Sequence, residues 1–89
     1  MYLAFVRWTD KMNQQVYNDV WNDKHTEICK KWGVKLLKWG IPFGTVETHI
    51  FVYDTDLELS KYQDFRADVA AIVPGAFDWT NTTIVNCPQ

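Results

Sequence analysis

The stretch Val46-Glu47-Thr48-His49-Ile50-Phe51-Val52-Tyr53 decides how this chain is read. It is rich in β-branched and aromatic residues, follows the turn-forming run Gly40-Ile41-Pro42-Phe43-Gly44, and stops at Asp54, which is the pattern of a strand at least half buried. Alternate residues of a strand share a face, so Glu47, His49, Phe51 and Tyr53 stand together and Val46, Thr48, Ile50 and Val52 stand opposite. The second set is small or wholly apolar and suits packing beneath helices. The mixed set is therefore expected to look away from the helices, with Glu47 and His49 lining whatever space lies on that side.

Working outward, Gly40 to Gly44 supply the turn of a hairpin that joins a strand over Val34 to Ile41 to the strand over Thr45 to Tyr53. Lys35 and Lys38 suit a sheet edge, where charge discourages unwanted pairing. Upstream, Tyr17, Val20, Trp21, Ile28 and Trp32 recur at helical spacing from about Asn13, and Gly33 closes that helix as its cap. Before it, Tyr2 to Thr9 reads as a first strand with apolar side chains on both faces. Downstream, Thr55-Asp56-Leu57-Glu58 has the spacing of a capping box and opens a second helix with Leu59, Tyr62, Phe65, Val69 and Ile72 as its stripe. Pro74-Gly75 ends that helix, and Thr80 to Cys87 forms a last strand.

The order β-α-β-β-α-β is the ferredoxin-like one, an α+β fold in which right-handed crossovers place both helices on one face of a four-stranded antiparallel sheet with strands one and three central. Residues 1–89 make a single domain. A sheet with one face in water alternates apolar and polar residues. Here Leu3, Phe5 and their neighbours make both faces apolar, so a second copy is expected to cover the open face, giving a homodimeric α/β barrel with helices outside.

The formal charge of −2, with scattered lysines, provides no footprint for a nucleic-acid backbone. No apolar run approaches the ~18 residues of a membrane span and Met1 to Thr9 have no signal-peptide pattern, so a cytoplasmic protein is expected. Cys29 and Cys87 are expected as free thiols, with no metal site. The glycosylation spacing of Asn81-Thr82-Thr83 carries no weight in such a compartment.

Trp8-Thr9 at the end of the first strand, Gly33-Val34-Lys35-Leu36-Leu37-Lys38-Trp39 after the first helix, and Asp54-Thr55-Asp56 before the second resemble the dimeric α/β-barrel superfamily, and within it one of the small uncharacterised families. That superfamily includes haem-degrading and cofactor-independent monooxygenases, muconolactone isomerases and stress-responsive proteins. Its haem-degrading members carry a first-strand asparagine and a second-helix histidine. Neither has a counterpart in Tyr2 to Thr9 or Thr55 to Val73, and no cofactor is expected.

The candidate site is a lumen between the two sheets lined by Arg7, Glu47, His49, Phe51, Tyr53, Trp39 and Phe5, an aromatic setting with a few convergent polar groups. It suits a small aromatic or apolar ligand. In the enzymatic alternative, a cofactor-independent monooxygenase or isomerase, His49 is the general base and Arg7 holds an anionic group. In the structural alternative Arg7 pairs with Glu47, His49 is a satisfied interface residue, and the dimer is an interaction module. His25, at the margin of the helical stripe, is expected to have a surface partner, and no carboxylate or second histidine stands at i+3 or i+4 to help it chelate a metal.

Overall fold

The computed structural model describes residues 1–78 and 82–88. Strands β1 (Tyr2–Val6), β2 (Lys35–Gly40), β3 (His49–Asp54) and β4 (Thr83–Asn86) form one antiparallel sheet in the order β2-β3-β1-β4. Strands one and three are central, as the chain order requires, and the fold is the α+β arrangement of ferredoxin-like proteins. Thr80 and Asn81, the expected start of the last strand and the sequon asparagine, lie outside the described residues.

The first helical rod runs through α1 (Gln14–Val16), a π-helical turn (Tyr17–Trp21) and α2 (Asn22–Trp32). Asn13 caps its start, its side chain accepting from the Val16 N–H, and Gly33 ends it in the left-handed conformation at φ 67°. Glycine reaches that region without a steric penalty, so the stop expected at Gly33 is where the helix stops. The second rod, α3 (Leu59–Ala70), starts without a side-chain cap. Thr55 does not close a capping box with Glu58; its Oγ1 accepts from the Leu57 N–H and donates to the Gly33 carbonyl, tying the approach to α3 to the end of α2. No helix among the described residues is long and apolar enough to cross a membrane.

Both rods pack on the face of the sheet that carries Tyr2, Ala4, Val6, Phe51 and Tyr53, all buried. Trp21 and His25 reach that face from the first rod; Tyr62, Phe65 and Val69 reach it from α3. Tyr2 and Tyr62 stack with centroids 4.0 Å apart, and the Tyr2 hydroxyl donates to the Leu57 carbonyl at 2.8 Å. The core is thus a sandwich of aromatic rings, which bury large apolar areas and favour such offset or tilted contacts.

Two boundaries differ from expectation and shape the site. Residues 45–48 precede β3, which begins at His49. Between Leu36 and Lys38 the β2–β3 register slips: Leu36 faces Tyr53, Lys38 faces Val52 and Trp39 faces Phe51. One extra residue on β2 makes this a β-bulge, so Leu36 and Trp39, three positions apart, share the helix-side face.

Candidate functional site

Strand alternation was expected to send Glu47, His49, Phe51 and Tyr53 away from the helices. The structure reverses the face. His49, Phe51 and Tyr53 are buried under the helical layer, whereas Ile50 and Val52 pair with Phe5 and Leu3 on the open face. The reason is volume: the large rings of Phe51 and Tyr53 meet Trp21, His25 and Phe65, a space that valine and isoleucine would leave partly empty. The proposed lumen set is therefore split. Phe5 lies half-buried on the open face, and Trp39, through the bulge, joins the helix side near Tyr17 and His49 with half its surface exposed.

Arg7 and Glu47 do not meet in an ion pair. Arg7 lies 3.7 Å from the Asp78 carboxylate, and the Asp78 N–H donates to the Arg7 carbonyl, where the chain after α3 returns to the end of β1. Glu47, in the loop before β3, accepts from the Thr83 hydroxyl of β4 at 3.3 Å. Strand spacing between Glu47 and His49 is lost because only the second belongs to the strand.

His49 lies flat against Trp8, ring centroids 3.7 Å apart, and its Nδ1 is 2.9 Å from the Thr48 hydroxyl, which also accepts from the Trp8 N–H. Trp8, Tyr17, Trp39 and His49 form a closed circuit of ring contacts at one end of the sheet. Burial lowers the pKa of His49, which keeps the ring neutral at physiological pH.

His25 is not a surface residue. It is 1% exposed, stacked on Trp21, and its Nε2 lies 2.8 Å from the Tyr53 hydroxyl and 3.6 Å from the Cys29 sulfur. Four-residue steps put Tyr17, Trp21, His25 and Cys29 in one line along the rod, all of it buried. Desolvation pushes His25 down to about 4 and Cys29 up to about 11, and holds Tyr53 well above its usual range. All three are neutral at pH 7. A thiol held protonated is a poor nucleophile, so this buried cluster packs and hydrogen-bonds rather than activating a group for attack. Among the described residues no three His, Cys, Asp or Glu side chains gather as a metal site would need.

A cavity of about 30 Å3 remains between the inner face of the sheet and the two rods, and its wall exposes almost nothing but carbon. Trp21, Phe51, Tyr53, Tyr62, Phe65 and Phe77 supply most of its rings, with Arg66 of α3 at one side. Burial lowers the pKa of Arg66 somewhat, and its Nη1 donates to Gln63. The indole N–H groups of Trp8 and Trp21 are buried with no acceptor among the described residues. The stripes of the two helices pointed to Trp21, Tyr62 and Phe65 as core, but no sequence signal shows that the rings leave a gap between them.

Compared with known proteins, the chain matches no protein family, no curated protein and no solved structure. The likeness to the dimeric α/β-barrel superfamily rests on the ferredoxin-like architecture.

Proposed function

We propose that this chain works as a homodimeric binding protein, two sheets packed open face to open face with the helices outward. One observation carries the reading: the open face is apolar across its width. Val85, Leu3 and Val52 make one row from β4 to β3, and Phe5 with Ile50 makes the next, with Leu37 and Lys38 at the β2 edge. Ile41, Phe43 and Val46 extend the apolar surface into the β2–β3 loop, where Phe43 is 94% exposed.

Magnitudes favour a second copy over water. Four strands ~4.8 Å apart and ~20 Å long offer a footprint of about 380 Å2. Side-chain relief and the flanking loop raise the accessible area toward the ~800 Å2 per partner of a standard interface. At ~25 cal/mol per Å2 of apolar surface, covering that face contributes several kcal/mol per protomer, a large share of the stability of a domain this small. A flat face is also self-complementary about a twofold axis. Aliphatic rows fill such an interface with their own side chains, which moves small-molecule binding from between the sheets to the interior of each protomer.

Sedimentation equilibrium tests the dimer. The parent chain is expected to sediment as a dimer at micromolar concentration, and Ile50→Lys or Val52→Lys, each placing a charge in the middle of the face, as a monomer with an unchanged far-UV circular dichroism spectrum. A parent that remains monomeric at 100-fold higher concentration rules the reading out.

A further inference from the structure

The interior cavity and the unpartnered Trp21 N–H belong together. Trp21 is 1% exposed and forms part of the cavity wall, and its Nε1 has no acceptor among the described residues. Nearly all buried polar groups in proteins are satisfied, and one left unmet costs about 1–3 kcal/mol. The neighbouring polar groups are already engaged: the Tyr53 hydroxyl with His25, and the Thr82 hydroxyl with the Asp78 carbonyl. The orphan indole of Trp8 is different, because Trp8 lies against His49 and contributes nothing to the cavity wall.

Water is a poor occupant. It needs two to four polar partners, and this wall of carbon provides one donor. Size narrows the choice further. At about 30 Å3 the cavity exceeds the ~10–15 Å3 that admits a water, but is about a fifth of the ~150 Å3 known to accept benzene. An aromatic ring does not fit.

We infer that this cavity is a binding site for a small neutral molecule of about two or three heavy atoms with a single hydrogen-bond acceptor, a short nitrile or carbonyl compound, whose acceptor takes the Trp21 Nε1–H while its apolar end rests against Phe51 and Phe65. The site lies on the far side of the sheet from the dimer face, so it stands whether or not the chain pairs.

The test is nuclear magnetic resonance of the intact 15N-labelled protein, with the Trp21 indole signal assigned by its loss in Trp21→Phe. Acetonitrile supplies an acceptor on a three-atom rod, propyne has the same shape without the acceptor, and benzonitrile has the acceptor on a ring. Acetonitrile is expected to move the Trp21 indole signal saturably, with an affinity at least fivefold above that of propyne, and benzonitrile to leave that signal in place. In Trp21→Phe, the acetonitrile effect on neighbouring methyl signals of Val6 and Val69 is expected to weaken by a similar factor. Equal affinities for acetonitrile and propyne overturn the donor role. A saturable response to benzonitrile overturns the size assignment, and a shift that rises linearly at every indole overturns the site.

Discussion

His25 stands in the core with a pKa of about 4, displaced from 6.5 by burial between Trp21 and Tyr53. Between those two values the unfolded chain takes up a proton that the folded chain refuses. Stability is therefore complete above pH 6.5 and declines as pH falls toward 4, by up to ~1.4 kcal/mol per pH unit from this one group. His49, lowered by the same cause, steepens the decline. Urea unfolding midpoints are expected to be flat from pH 7 to 8 and to drop between pH 6.5 and 4.5, with a shallower slope in His25→Phe; a midpoint constant over the acid range contradicts the burial of both imidazoles. The sequence places His25 four residues from Trp21, which is the spacing of a buried line. Histidine's usual place at surfaces argues the other way, and only the Tyr53 hydroxyl, supplied 28 residues later, makes burial affordable. Glu47 and His49 show a related limit: alternation tells which residues share a face, but the choice of face depends on the volume that the helices leave to be filled.

Among the elements, the helices were the most legible. Asn13 and Gly33 bracket the first rod as their chemistry predicts, because a side-chain cap and a left-handed glycine act locally. Gly33→Ala is expected to lower stability by about 1 kcal/mol, read from the shift in unfolding midpoint at constant denaturant dependence. Open space surrounds its Cα, so the effect measures backbone conformation and not a clash. A loss above about 3 kcal/mol would point instead to a collapse of the Thr55 link at the Gly33 carbonyl. Strands were harder. The bulge at Leu36–Lys38 has no glycine or proline to announce it, and it alone turns Trp39 from the expected lumen to the helix side. Residues 45–48 keep strand-like composition yet do not enter the ladder as a strand, since β1 ends at Val6 and Thr48 spends its hydroxyl on the Trp8 N–H.

At the scale of the whole molecule, a chain of 89 residues buries only about two-thirds of the surface it exposes when unfolded, and it spends one complete sheet face on solvent unless a copy covers it. Pairing couples folding to concentration. The thermal midpoint of the parent is expected to rise by several degrees over a hundredfold increase in protein, while that of Ile50→Lys stays fixed, and scanning calorimetry at two concentrations distinguishes these outcomes. The apolar character of both faces could be read from Leu3, Phe5, Ile50 and Val52 alone. The cavity could not, because a void of about 30 Å3 depends on how six rings settle against one another.

The π-helical turn at Tyr17–Trp21 gives the first rod a dependence on chain length that its composition does not reveal. Its wider winding is what lets Tyr17 lie over Trp8 while Trp21 lies over Phe51. Removing one exposed residue from the turn, such as Asn18, would restore ordinary α-helical winding and rotate everything before it by about 100° relative to everything after. Trp21 through Trp32 would keep their seats, and Tyr17 would leave the Trp8–His49 stack. A deletion, more than any substitution at the same place, would thus separate the two halves of the aromatic core.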